Sequence, residues 1–339
     1  MSQTPRPPRR VTAMDVAARA GVSRTTVSYV LNDRPHQAIP EGTRRRVLDA
    51  AAELGYAPSA AARTLATGRS SLVLGVIPDW PVSTNLGEAM RALTRAFATE
   101  GLVYLSHTAT AAEEDLAPLW GTVSPAATIL FDHVPPEQVD RMRAAGIAVV
   151  VASWSSEASV PGTMDRWDEE VGRAQAEHLI SVGHQRLGYA WSDDERVVGF
   201  ARPRLAGVRA ACAAHGLAPP LVHTVPADAA RAGDVVRRWR GEAPPVTAVC
   251  AYNDETAHAV LAGLRLLGLA APADLAVVGV DDNPVSALQD PSLTTVRHDL
   301  DALARQVVGL VVGALGEQAS PGPSVEDRTP AHLIRRSTT

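Results

Sequence analysis

The residues best suited to chemistry in this 339-residue chain gather in two places. Near the N-terminus, Arg24, Thr25, Ser28 and Tyr29 interleave with Val27, Val30 and Leu31, so a helix there would present donors and hydroxyls on one face and bury the other. Farther on, short apolar runs end in Asp79-Trp80, Ser153-Trp154, Trp191, Asn253-Asp254 and Asp281-Asp282. Indoles offer a flat apolar face and Asp or Asn can hold hydroxyls, so this second set suits a polar small molecule.

What is missing narrows the chemistry further. All 32 basic residues are arginine, which removes Schiff-base chemistry and the lysine-bearing phosphate loop. The first apolar run leads into Pro78-Asp79-Trp80-Pro81, with none of the Gly-x-Gly-x-x-Gly pattern of a dinucleotide binder. Asp281, Asp282 and His298 could be read as acid–base groups, but no nucleophile motif accompanies them, and hydroxyl binding by Asp281 is the favoured reading. Cys212 and Cys250 lie in no Cys-x-x-Cys pair and near no metal-type histidine spacing, so inert buried thiols are expected, with no metal or cofactor.

Short helices must position the first set. Thr12 is a natural cap for a helix carrying Met14, Val16, Ala17 and Ala20, and Gly21 supplies the permissive backbone of a tight turn. Ser23 then caps a second helix over 24–31, and a third is predicted over about 41–54, with Val47, Leu48, Ala51 and Leu54 inward and Arg44-Arg45-Arg46 outward. Two short helices around a Gly-containing turn, the second of them polar, match a helix-turn-helix. Charge agrees: residues 1–70 hold 11 Arg against 5 acids, while the remainder holds 21 Arg against 32 acids, which gives the net −5. A basic head suits a polyanion that the acidic body would repel.

From residue 72 the texture changes to apolar strands alternating with helices. Runs at 72–77, 103–105, 128–131 and 147–151, then 186–190, 248–251 and 275–280, predict two α/β lobes with parallel sheets covered on both faces. Ligands of such sheets sit beyond the carboxyl ends of the strands, where the second set of residues lies. A mean hydropathy of −0.02 excludes a disordered or membrane-bound class, and no apolar run reaches the ~18 residues of a membrane span. With no apolar stretch after the basic N-terminus to make a secretory signal, a cytoplasmic location is expected.

The run Val11 to Asn32, followed by Thr43-Arg44, Leu54-Gly55-Tyr56-Ala57-Pro58 and Ala62-Arg63-Thr64-Leu65, resembles the DNA-binding head of the Lac-repressor (LacI/GalR) family. The body is similar as well, at Glu177 to His184, Arg202 to Gly207, Ala251 to Glu255, Val277 to Asp282 and Leu293 to Arg297. The resemblance implies an all-α helix-turn-helix head on a two-lobed, periplasmic-binding-protein-like α/β body. It places Arg24, Thr25 and Tyr29 over base edges, and Thr12, Ser23, Thr26, Ser28, Asn32, Arg44, Tyr56 and Ser59 near phosphates. Ala62 and Leu65 would belong to a hinge helix that wedges into the minor groove. Arg204, Asn253 and Asp281 become effector contacts, with Asp79, Trp80, Trp154 and Trp191 as further candidates.

Two departures bear on the DNA sequence read. Tyr29 stands where many relatives carry Arg, and Pro40 stands where a hydroxyl residue is usual. A third, Trp80-Pro81-Val82-Ser83 in place of an Asn-Pro-Phe-Phe type loop, makes the first lobe's share of the pocket unusual.

The resemblance therefore implies a sequence-specific transcriptional regulator, a repressor in the leading reading. Its partners would be a pseudo-palindromic operator, a sugar-like effector and a second copy of the chain, with no enzyme activity. No leucine-heptad tail follows Arg336, so a dimer is expected. The expected organisation is a head over 1–58, a hinge over 59–70 and a body over 71–339, the latter divided into 71–166 plus 299–325 and 167–298 plus 326–339. A solute-binding protein with no regulatory role is the alternative, and it leaves residues 1–70 unexplained. A nucleotide-using α/β enzyme ranks third.

Overall fold

A computed structural model describes residues 11–31, 39–56, 70–110, 115–132, 134–152, 163–316 and 331–339, with the side chains of 163–166 left aside. The chain divides into two compact units, Met1–Ser71 and Leu72–Thr339.

In the first unit, α1 (Ala13–Ala20), α2 (Arg24–Leu31) and α3 (Glu41–Glu53) surround a small core. Thr12 and Asp15 form a reciprocal capping box at the start of α1, and Gly21, at φ 68°, ends that helix in the left-handed conformation that glycine adopts without penalty. The Ser23 hydroxyl accepts from the Thr26 amide at 3.1 Å, which starts α2. Val16, Ala17, Ala20, Val27, Val30, Val47, Ala50 and Ala51 are buried together.

Met14 and Leu48, expected inward, face solvent instead, 67% and 47% exposed. The buried stripes run through 13, 16, 17 and 20 and through 47, 50, 51 and 54, the i, i+3, i+4, i+7 series of a helix, and neither residue falls on its stripe. α3 begins at Pro40 without a side-chain cap. The proposed hinge helix, with Ala62 and Leu65, lies outside the described residues, as do Asn32, Ser59 and Trp154.

The second unit has two lobes. The first is a four-stranded parallel sheet, order β2-β1-β3-β4, built from β1 (Leu72–Ile77), β2 (Val103–Thr108), β3 (Ala127–Leu130) and β4 (Ala148–Val151). α4 (Thr84–Thr99) and α11 (Leu300–Ala314) cover one face through Leu93, Phe97, Val307 and Val311. α5 (Ala117–Val123) and α6 (Pro136–Ala144) supply Trp120 and Met142 to the other.

The second lobe's sheet follows the order β10-β9-β8-β7-β5-β6. Its strands are β5 (Leu187–Ser192), β6 (Leu221–Val225), β7 (Ala248–Ala251), β8 (Ala276–Val280), β9 (Thr294–His298) and β10 (Ala331–Ile334). It is parallel except for β10, which runs antiparallel to β9 at one edge. α7 (Thr163–Ser181) and α8 (Val198–Ala214) pack on one face, and α9 (Ala229–Gly241) and α10 (Asp254–Leu266) on the other.

Two described segments join the lobes. Trp167 packs on the first lobe's core, whereas Val171, one turn later in α7, belongs to the second lobe's core. Asp299 lies between β9 and α11 and caps that helix, its carboxylate accepting from the Ala302 amide at 2.8 Å.

Candidate functional site

On the first unit, Thr12, Ser23, Arg24 and Thr25 are exposed, while Thr26, Ser28, Tyr29, Arg44 and Tyr56 are half-buried. Residues 24, 25, 28 and 29 share the face of α2 opposite Val27 and Val30, so this helix presents a guanidinium, two hydroxyls and a phenol outward. The Ser23 and Thr26 hydroxyls lie 2.9 Å apart and bond each other.

On the second unit, a cleft between the lobes encloses about 930 Å³ including its open mouth. The loop after β1 brings Trp80, Pro81 and Val82 from the first lobe, and α4 adds Leu86 and Met90. The second lobe brings Asp168, Phe200, Arg204, Tyr252, Asn253, Glu255, Asp281 and His298. Trp80 meets Phe131 of its own lobe edge-on at 6.3 Å and Phe200 of the other lobe at 4.9 Å, so one indole spans the junction.

At the centre is Arg204, only 4% exposed. Its Nε donates to Asp168 Oδ1 at 2.6 Å, Nη1 to the Tyr252 carbonyl at 2.8 Å, and Nη2 to His298 Nε2 at 3.3 Å. The guanidinium also lies over the Tyr252 ring, 4.8 Å from its centroid. Burial opposes that charge, but Asp168 and the neighbouring anions outweigh burial and hold the guanidinium protonated. Burial likewise pushes the Asp168 carboxyl up, against the pull of Arg204.

Because arginine has no acceptor, His298 Nε2 must receive the Arg204 bond, which puts the ring proton of the neutral imidazole on Nδ1. Burial, reinforced by the Arg204 charge, pushes His298 down to about 3. Burial pushes the Asp281 carboxyl up to about 7, with Arg204 pulling the other way. Asp281 also sits at φ 107°, a backbone conformation that side chains rarely adopt. Its Oδ1 is buried with no hydrogen-bond partner, 3.6 Å from His298 Nε2. A buried carboxylate oxygen left unpaired is costly, and a donor on a ligand would satisfy it.

A family profile described as bacterial regulatory proteins, lacI family, matches residues 12–59, and one described as a periplasmic binding protein-like domain matches residues 176–339. The HTH-type transcriptional regulator GntR of Pseudomonas aeruginosa is 31% identical to this chain over 90% of each protein. The chain belongs to the LacI family. The HTH-type transcriptional regulator MalR of Streptomyces coelicolor is 29% identical over 96% of this chain and 95% of its own. The fold matches that of the Lac repressor dimer bound to operator and the anti-inducer ONPF, with a TM-score of 0.76 at 24% identity over 97% of this chain and 99% of that one. A CelR–cellobiose complex matches at TM-score 0.61 and 25% identity, over 97% of this chain and 100% of that one.

This LacI-family protein is thus a DNA-binding transcriptional regulator with a helix-turn-helix unit and a two-lobed body. No helix among the described residues is long and apolar enough to cross a membrane. Of the effector candidates, Trp80, Arg204, Asn253 and Asp281 line the cleft. Asn253 also caps α10, its side-chain carbonyl accepting from the Thr256 amide at 2.9 Å, which leaves its amide group for the cleft.

Two candidates depart from expectation. Asp79 turns away to Arg196 Nη1 at 3.7 Å, with 61% of its side chain exposed. Trp191 does not line the cleft: β5 runs on to Ser192, so the indole is still in the strand and packs near Tyr189 at 6.2 Å.

Asp168, His298, Tyr252, Phe200 and Trp167 complete the site and were not among the predicted contacts. His298, at the end of a strand, could have been found by the rule used for Asp281. Asp168 lies inside a helix and carries no local signal.

Proposed function

We propose that this regulator is an effector-controlled repressor that acts as a homodimer on a pseudo-palindromic operator. Arg24, Thr25 and Tyr29 read base edges in the major groove, while Thr12, Ser23, Thr26, Ser28, Asn32, Arg44, Tyr56 and Ser59 hold phosphates. Segment 59–70, with Ala62 and Leu65, is the hinge that kinks the duplex. The exposed polar face of α2 and the excess of arginine in residues 1–70 support this reading.

The effector is a small sugar-like molecule in the interlobe cleft, contacted by Trp80, Arg204, Asn253 and Asp281, with Trp154 as a further contact. One observation carries this reading most: the buried, unpartnered Oδ1 of Asp281 in a cleft walled by aromatic rings. A ligand that binds better when the lobes are arranged against operator binding must loosen the operator by the same factor.

Selection of duplexes from a random pool by the full-length protein, with affinity then measured across salt and across a sugar panel, tests the proposal. A palindromic consensus, affinity falling steeply with salt, and release by one sugar are expected. Salt-independent binding, or indifference to every ligand that raises the protein's melting temperature, defeats it.

A further inference from the structure

With Asp281 as an effector contact, as proposed above, its aim into the cleft must come from the backbone, because its Oδ1 has no hydrogen-bond partner to fix it. That backbone is unusual. Asp281 and Asp282 sit in succession at φ 107° and 52°, conformations that persist in non-glycine residues only where the surroundings over-determine them.

The surroundings do so from two sides. On the inner side, Asp254 at the start of α10 is 1% exposed, in room that Gly279 of β8 leaves by having no β-carbon. Its carboxylate accepts from the Asn283 amide at 2.8 Å, the Ser286 hydroxyl at 2.7 Å and the Thr295 hydroxyl at 2.6 Å. Thr295 Oγ1 in turn accepts from the Asp282 amide at 3.3 Å. On the outer side stands Arg336, two residues beyond β10. Its Nη2 donates to Asp282 Oδ1 at 2.6 Å and its Nη1 to the Leu293 carbonyl at 2.9 Å. The two charged side chains are only 18% and 15% exposed, so water screens this pair far less than a surface one. Arg297 is a looser partner, 3.6 Å from Asp282 Oδ2 and 55% exposed. Arg336 itself has a firm base, since its amide donates to the Thr294 hydroxyl at 2.9 Å and Thr338 Oγ1 donates to the Val277 carbonyl at 2.7 Å.

We propose that Arg336 is a positioning residue of the effector site: by clamping Asp282 it holds the turn that points Asp281 into the cleft. The segment after β10 thus belongs to the site although it does not line the cleft. An ion pair with a merely structural role would lower stability alike at every pH and leave the surroundings of Asp281 unchanged.

The full-length protein tests this without a ligand. Asp281, faced by Arg204, Asp168, Asp254, Glu255 and His298, has its carboxyl raised by burial. The urea midpoint of Asp281→Asn relative to its parent should therefore rise from about pH 4 to about pH 7 in the otherwise wild-type chain. In an Arg336→Ala background the turn relaxes, Asp281 reaches water, and that rise should fall to less than half. Asp282→Asn tolerates the positive φ and removes the ion pair from its other end, and it should reduce the rise as well. Calorimetry with cellobiose, galactose and glucose follows binding in parallel. Any of these sugars that binds the wild type should bind Arg336→Ala at least about tenfold more weakly. A rise undiminished in Arg336→Ala, or in Asp282→Asn where only that variant folds, overturns the proposal, as does unchanged affinity for a sugar that the wild type binds. If none of the three sugars binds, the pH series alone decides the role of Arg336, while the effector reading stands or falls separately on operator release.

Discussion

Gly172 of α7 lies so close to the backbone carbonyl of Arg204 in α8 that a β-carbon at 172 would collide with that oxygen. The contact is reciprocal, since a β-carbon on Gly207 would strike the carbonyl of Glu169. Two glycines let the helix backbones touch, and the close crossing brings Asp168 of one helix within 2.6 Å of Arg204 of the other. Backbone cannot retreat as a flexible side chain can, so this crossing admits no larger residue without moving a helix.

Gly172→Ala and Gly207→Ala should each destabilise the body by about 1–3 kcal/mol, the usual cost of overpacking, or more if the helices part. Calorimetric unfolding should show the body's transition shifted down. Sugar response should weaken with it, because the Asp168–Arg204 geometry depends on the crossing. An unshifted transition would mean that the helices slide freely and the glycines are not what holds the site.

Arg204→Ala would leave Asp168 buried without its counter-ion, a change that typically costs about 3–5 kcal/mol. Arg204→Lys should rescue little, because a single ammonium cannot reproduce a planar fork serving Asp168, the Tyr252 carbonyl and His298. Urea unfolding of both variants checks this. Lysine restoring full stability would show that charge alone matters at 204.

On the helical unit, Arg24→Ala should weaken operator binding by about 1–3 kcal/mol and relax preference at one base pair. Thr12→Ala, which removes the capping box of α1, should cost about 1 kcal/mol of stability with no change in the bases preferred. Anisotropy titrations against single-base operator variants separate the two, and unchanged preference in Arg24→Ala would remove that residue from base reading.

The pH dependence of stability carries two opposed contributions. Asp281 holds its proton more tightly in the folded chain, with a value raised from 3.8 to about 7. Its contribution is complete below about pH 4 and lost as pH climbs to about 7. His298 is lowered from 6.5 to about 3, so its contribution is present above about pH 6.5 and lost as pH falls toward 3. Asp281→Asn removes the first effect. Its stability relative to wild type should rise from pH 4 to 7 and level off above, as read by urea unfolding at a series of pH values, and a flat difference would refute the burial of that carboxyl.

Much of the helical unit was legible because its signals are local. Thr12 and Ser23 mark helix starts by accepting from amides three residues on, Gly21 marks a helix end through its left-handed backbone, and α2 spans the predicted 24–31. Met14 and Leu48 were misplaced because hydrophobicity alone does not say where on a helix the stripe lies. In the body, apolar runs located β1, β3, β7 and β8, which are buried on both faces, and the half-buried β4, whereas the more exposed β6 and the edge strand β10 carried too weak a pattern.

The site divides along the same line. Asp281 follows its strand directly and Asn253 and Trp80 follow theirs within two or three residues, and the end of a parallel strand faces the cleft wherever the sheet goes, so sequence determined that they could meet a ligand. The same rule failed for Trp191 because β5 continues one residue past it, and the two-residue pleat then decides which way an indole points. Asp168 joins Arg204 across 36 residues through a helix crossing that two glycines permit, and His298 joins it across 94 from the end of β9. Residue type and spacing determined that this chain is a DNA-binding head on a two-lobed body, because those features rest on interactions within a few residues. Only the tertiary structure decided that Arg204 is held by Asp168, the Tyr252 carbonyl and His298 while Asp281 is left wanting a donor, because partners distant in sequence compete for the same few bonds once burial has removed water.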